Sequence, residues 1–123
     1  MRHLTAAALF LTSLATLTAC GPAVCTEIAV SSVTLELYDL DTGEGVVGAD
    51  VQYAVDGGDF GPCRSWGEDH IYNCGVEEPG AFEIAVDAEG YELLEVAADV
   101  DEDECHVITE VLVEDLVPLA EAR

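Results

Sequence analysis

Few side chains in this sequence are of types that do chemistry, and their spacing sets narrow limits on what that chemistry is. Ser65, His70 and Glu68 are of the types that serve as nucleophile, base and orienter, but all three fall on one short loop where nothing implies a rigid arrangement. Asp39-x-Asp41-x-Gly43 has the start of a calcium loop without the later acidic ligand at the spacing such a loop needs. Asp101-Glu102-Asp103-Glu104 reads as a solvated hairpin tip, and His106, beside Cys105, as a half-buried packing residue. A zinc site needs clustered ligands, and the chain has neither a C-x-x-C nor an H-x-x-x-H pair. No G-x-S-x-G elbow, phosphate-binding glycine loop or H-E-x-x-H helix is present. The expectation is a domain without catalysis, metal or cofactor.

The cysteines are the exception. Met1-Arg2-His3 is a short basic start, and Leu4 to Thr18 follows without a charge, a glycine or a proline. That order describes a secretory signal. The run is too short, and too often interrupted by Thr and Ser, to span a hydrocarbon core of ~30 Å, which takes ~20 apolar residues. It ends in Leu17-Thr18-Ala19-Cys20, which resembles the lipobox of bacterial lipoprotein precursors. The resemblance implies cleavage before Cys20, a diacylglycerol thioether on its sulfur, and attachment to a membrane through that lipid. Two or three acyl chains anchor stably where one gives marginal binding, each buried methylene contributing ~0.8 kcal/mol. Gly21 stands where an aspartate often retains such proteins in an inner membrane. The expected address is therefore the cell envelope, and the outer membrane if the cell is Gram-negative.

With Cys20 committed to lipid, Cys25, Cys63, Cys74 and Cys105 remain, an even number that reads as two disulfides in an exported domain. Of three pairings, Cys63–Cys74 across a hairpin-like loop, with Cys25–Cys105 joining the starts of the first and last strands, fits the order of the elements best.

All 26 acidic residues lie after residue 19, where Arg64 and Arg123 are the only basic side chains besides two histidines. An acidic surface repels phosphate, which argues against nucleic acid as a partner. Half of the chain is nevertheless hydrophobic, which argues against disorder. The stretch from Phe60 to Cys74 concentrates what recognition uses: Arg64, Trp66, His70 and Tyr72 lie in it. Trp, Tyr and Arg dominate binding hot spots, and loops on rigid sandwiches often carry function. The competing reading makes Trp66 and Tyr72 a cover over the disulfide.

The elements that must position these residues are strands. Val33, Leu35 and Leu37 alternate with polar neighbours, as do Ala49, Val51, Tyr53 and Val55, then Phe82, Ile84 and Val86, then Leu94, Val96, Ala98 and Val100. Ile28 and Val30 have the opposite parity to Val33, so Ser31-Ser32 marks a bulge or a break. Val107, Val111 and Val113 oppose Ile108 and Leu112, which predicts a last strand apolar on both faces and central in its sheet. Residues 91–98 contain good helix formers, and a short helix there competes with the strand. Gly-rich and acidic turns separate the runs. The prediction is an all-β sandwich of six or seven strands over residues 25–117, after a signal peptide (1–19) and a short lipidated linker (20–24), with a tail at 118–123.

Residues 33 to 53, V-T-L-E-L-Y-D-L-D-T-G-E-G-V-V-G-A-D-V-Q-Y, resemble the opening of carboxypeptidase-regulatory-like domains, which belong to the wider transthyretin, or prealbumin-like, group. Residues 79 to 91, P-G-A-F-E-I-A-V-D-A-E-G-Y, look like that pattern's later strand element. The resemblance implies a small prealbumin-like sandwich in which Gly43, Gly48 and Gly90 are backbone positions of the fold. It brings no active site, since a carboxypeptidase zinc domain could not fit here and the end V-P-L-A-E-A-R lacks the motif of the group's ureide hydrolase. The implied function is a membrane-anchored interaction or structural module. The alternative is a carbohydrate- or peptide-binding accessory module of an export or degradation system.

Overall fold

The computed structural model describes residues 24–66 and 68–120. The segment expected to be a signal peptide, Cys20 and the end of the tail lie outside the described residues. Among those described, no helix is long and apolar enough to cross a membrane. Over the described residues the fold is all-β, with eight strands: β1 (Ser31–Asp39), β2 (Asp50–Val55), β3 (Gly61–Pro62), β4 (Arg64–Ser65), β5 (Ile71–Val76), β6 (Gly80–Asp87), β7 (Leu94–Val100) and β8 (Glu110–Leu116). They form two four-stranded sheets, ordered β4–β5–β1–β8 and β3–β2–β6–β7. Every pairing is antiparallel except that of β1 with β8, which is parallel.

Alternation decides what enters the space between the sheets. Val33, Leu35, Leu37, Tyr72, Cys74 and Leu116 enter from one side, and Val51, Phe82, Ile84, Val86 and Val100 from the other. The Tyr53 and Phe82 rings stack with centroids 5.5 Å apart. Fully burying one such aliphatic side chain contributes about 1.5–3 kcal/mol, so this core is the main source of stability. Residues 94–100 are a strand whose buried parity matches the alternation in the sequence. Burial against β6 outweighs the helix propensity of Leu, Glu and Ala there, because a helix would forfeit the whole β6–β7 ladder.

Two expectations need correction. The strand count rises to eight because the chain from Gly61 to Ser65 divides between the sheets, giving two strands of two residues each on either side of Cys63. The last strand is not central. β8 pairs only with β1 and forms an edge, with Val111 62% and Val113 59% exposed. The acidic stretch after Val100 does form an exposed hairpin tip: Glu102 bridges Val107 antiparallel, the Asp103 amide donates to the His106 carbonyl, and the Ile108 amide to the Asp101 carbonyl. The hairpin lies within the crossover between the two sheets, and the Asp103 carboxylate tightens it by accepting the Cys105 and His106 amides.

Both disulfides form as expected, Cys63–Cys74 with Cα atoms 4.4 Å apart and Cys25–Cys105 with Cα atoms 5.1 Å apart. The expected change of parity falls at Ser32: Ser32 and the next residue, Val33, are both fully buried, the β1–β5 ladder has no Ser32 pair, and Gly75 on β5 stands at φ +76°. The Asp39–Gly45 turn shows why its sequence reads as it does. Asp39 Oδ1 accepts the amides of Asp41 and Thr42, and Gly43, at φ +73°, donates to the Asp39 carbonyl. A left-handed position of that kind suits glycine, which has no Cβ to clash. Asp39 Oδ2 accepts from the Tyr91 hydroxyl at 2.7 Å, which raises the tyrosine pKa, with partial burial adding to the effect. Turn and second motif are thus tied together.

Candidate functional site

The Phe60–Cys74 stretch is held at three points. Cys63, between β3 and β4, donates its amide to the Val51 carbonyl of one sheet, while its sulfur is bonded to Cys74 of the other. Arg64 and Ser65 then pair with Asn73 and Tyr72. The disulfide and this short ladder fix the turn in place, so the side chains it displays lose little freedom on meeting a partner.

What is displayed divides the four candidate residues into two pairs. Trp66 is 76% exposed, and Arg64 is exposed beside it. Arg64 is the only Lys or Arg among the described residues and forms no ion pair there. Tyr72, in contrast, is 1% exposed and belongs to the core. Its hydroxyl donates to the Val46 carbonyl at 3.0 Å and accepts from the Ala49 amide at 3.1 Å, so its polar end is satisfied inside. Tyr72 is therefore no contact residue. Its place in β5 turns it inward beside Cys74, and it braces the segment before β2.

His70 is also committed to the fold. Its ring packs on Tyr38 with centroids 5.0 Å apart, and Nε2 lies 3.2 Å from the Tyr38 hydroxyl. The ring sits so close to Gly45 that a Cβ there would come within 2.6 Å of it. Nδ1 lies 3.4 Å from Asp69. The histidine thus engages Tyr38 and Asp69, while Ser65 is held in the ladder opposite Tyr72, and the three residues of the hypothetical triad are not assembled.

Arg64 and Trp66 border an open groove of about 550 Å³ whose other walls include Tyr53, Asn73 and Glu78. Tyr53 donates to Glu78 Oε1 at 3.0 Å; burial first, and then this carboxylate, raise the tyrosine pKa, so the hydroxyl stays a donor. The groove presents an aromatic plate, a guanidinium, an amide and a carboxylate. That set can stack on a flat apolar surface and hydrogen-bond a polar ligand. It contains no nucleophile held against a base.

Cross-strand pairing extends this surface. Arg64, Asn73, Thr34 and Val111 form one row across the four strands, and Ile71, Glu36 and Val113 form the next. Thr34 Oγ1 donates to Asn73 Oδ1 at 3.2 Å and locks the centre of the first row.

A second polar cluster, at the end of the sandwich, escapes sequence reasoning. Glu77, at φ +52°, donates its amide to the Val30 carbonyl, and its carboxylate accepts from Val30 N and Val107 N and lies 2.6 Å from His106 Nδ1. Partial burial pushes the Glu77 pKa up, but the His106 hydrogen bond and the two backbone amides outweigh it and hold the carboxyl below its ordinary range. His106 Nε2 lies 3.0 Å from Thr26 Oγ1, so the cluster ties down the segment that carries Cys25. The partners of Glu77 lie far from it in the chain, and no spacing announces them.

No family model matches the chain, and no curated protein matches it.

Proposed function

We propose that this chain is a non-catalytic binding module, held at the cell envelope by lipid on Cys20, that meets its partner through Arg64 and Trp66. The observation that carries the reading is the exposure of Trp66 beside Arg64, which forms no ion pair among the described residues, on a turn braced by a disulfide. A rigid aromatic next to a guanidinium is the composition of a binding hot spot. The lipobox-like Leu17-Thr18-Ala19-Cys20 supports the anchorage, and the short linker after it would hold the domain close to the membrane. The likeness of residues 33–53 and 79–91 to carboxypeptidase-regulatory-like domains agrees with a role in binding.

A second reading, an accessory module for a carbohydrate or peptide, draws support from the groove, where Trp66 offers a stacking surface flanked by Asn73, Arg64 and Glu78. Titration with soluble glycans and peptides while Trp66 fluorescence is followed separates the readings. A saturable response to one of them favours the accessory module, and capture of an envelope protein without any small-ligand response favours the first reading. For the anchor, Cys20→Ala should abolish acyl labelling and release the protein from the membrane fraction. Labelling that survives the substitution refutes the anchorage.

A further inference from the structure

The open edge of β8 differs from the other edges of the sandwich. Natural proteins blunt sheet edges with short strands, charged side chains, prolines or bulges. β3 and β4 are two residues long, and β7 turns Glu95 and Asp99 outward. β8 runs for seven residues in unbroken register with β1, contains no proline, and turns Val111 and Val113, both more than half exposed, outward ahead of a single outward acid, Asp115.

The backbone on that edge is also defined. The Leu116 carbonyl accepts from the Leu40 amide at 3.0 Å, so Leu116 faces the β1 side. Successive residues of a strand direct their backbone groups to opposite sides. Glu110, Leu112 and Glu114 therefore share the β1 side, and Val111, Val113 and Asp115 direct their N–H and C=O groups to the open edge. Among the described residues no other strand pairs there.

We propose that this edge receives an extended cationic segment of a partner protein as a ninth strand. In strand addition the backbone supplies affinity and alternate side chains supply selectivity. Charge decides the occupant. β8 carries Glu110, Glu114 and Asp115, on a chain of net charge −23. A second copy would bring the same three acids to the seam in any register, and with Val111 against Val113 it would set Glu110 directly against Glu114, a destabilising pair. A strand in which Lys or Arg alternates with Val or Thr places cations beside the glutamates and β-branched groups beside the valines. The inference does not depend on the Arg64–Trp66 surface, which lies at the opposite margin of the same sheet.

The test uses the full chain and two synthetic peptides, acetyl-Lys-Val-Lys-Val-Lys-Val-Lys-amide and its Glu-Val counterpart. The Lys-Val peptide should bind, the Glu-Val peptide should not, and amide exchange at Val111, Val113 and Asp115 should slow in the complex. Val113→Pro removes one donor from the open edge without touching a β1 hydrogen bond, and should weaken binding about tenfold while circular dichroism stays unchanged. Glu110→Lys with Glu114→Lys should reverse the preference between peptides, which keeps the test decisive if the proline variant fails to fold. Trp66→Ala should leave peptide binding intact, so loss of the envelope partner and loss of strand addition are separate results. Binding without slowed exchange on β8 would mean attraction to the acidic surface at large, and would overturn the proposal. Slowed exchange at those amides in the protein alone, rising with its concentration, would make a second copy the occupant and overturn it equally.

Discussion

The outer face of the β3–β2–β6–β7 sheet and that of the β4–β5–β1–β8 sheet rest on the same kind of apolar interior yet differ in every outward row. On the first, Gln52 pairs with Ala85 and Ala85 with Glu95, Ala54 pairs with Glu83 and Glu83 with Ala97, and Ala81 pairs with Asp99. Alanine thus stands opposite each glutamate, which places the acids on diagonals and dilutes their repulsion; only Asp50 and Asp87 are directly opposed. On the second face the rows run from Arg64 to Val111, from Ile71 to Val113 and from Tyr38 to Asp115, with Glu36 and Asp115 the carboxylates among them. The inward parity is fixed by the core in both sheets, whereas the outward parity is free to follow solvation on one side and contact on the other. A charge-laden face stays wet, and a charge-poor face with isolated apolar groups is the one that loses least by being covered.

The largest effect tests whether the β4–β5 hairpin divides as described. Tyr72→Ala should destabilise by about 3–5 kcal/mol in equilibrium unfolding, whereas Trp66→Ala should stay within about 0.5 kcal/mol. Comparable losses at the two positions would place Trp66 in the core and erase the distinction between the faces. Next, Arg64→Ala combined with Trp66→Ala should reduce partner capture from a membrane extract by about 2 kcal/mol, roughly thirtyfold. Glu83→Gln with Glu95→Gln, on the acidic face, should change capture less than about twofold. The reverse pattern would assign contact to the wrong sheet.

A smaller, pH-dependent effect separates the end of the sandwich from both faces. The folded state holds the Glu77 carboxyl below its ordinary value of 4.5, so its contribution is complete above that value and is lost as the pH falls through the lower, folded one. The gap in melting temperature between the native chain and Glu77→Gln should therefore be open at about pH 5 and close as the pH falls further into acid. A gap that persists undiminished in strong acid would contradict the hydrogen-bonded carboxylate. The smallest effect belongs to the one pair of opposed acids: Asp50→Asn should stabilise by about 0.5 kcal/mol at low salt, and by less in 1 M salt. No gain at low salt would mean that solvent already screens the pair.

The sequence shows the inward residues of β1, β2, β6 and β7 because each has one clear apolar parity. It does not show the place of β8, where Val111, Leu112 and Val113 are apolar on both parities. Period two reports which residues share a side but not whether a neighbouring strand covers it. Gly61–Ser65 is too short to have a period at all. Tyr72 was within reach, since it shares parity with Cys74, and that alternation marks a strand entering the core; the polar look of the surrounding loop hides it. Of the candidate site, Arg64 and Trp66 follow from composition alone. Glu77 has no signal, because its partners converge only after both sheets have closed.

The bond between Cys25 and Cys105 spans 80 residues of sequence, and it changes how the molecule would carry a mechanical load. A pull between the N-terminus and the C-terminus enters at Cys25, passes through the two sulfurs to Cys105, and continues along β8 to the tail. Everything from 26 to 104 lies off that route. Tension can strip β8 from β1, but the remaining seven strands stay slack while the bond is intact. Once it is reduced, the same pull reaches β1 and β8 from opposite ends of a parallel pair and loads their hydrogen bonds in shear, all at once.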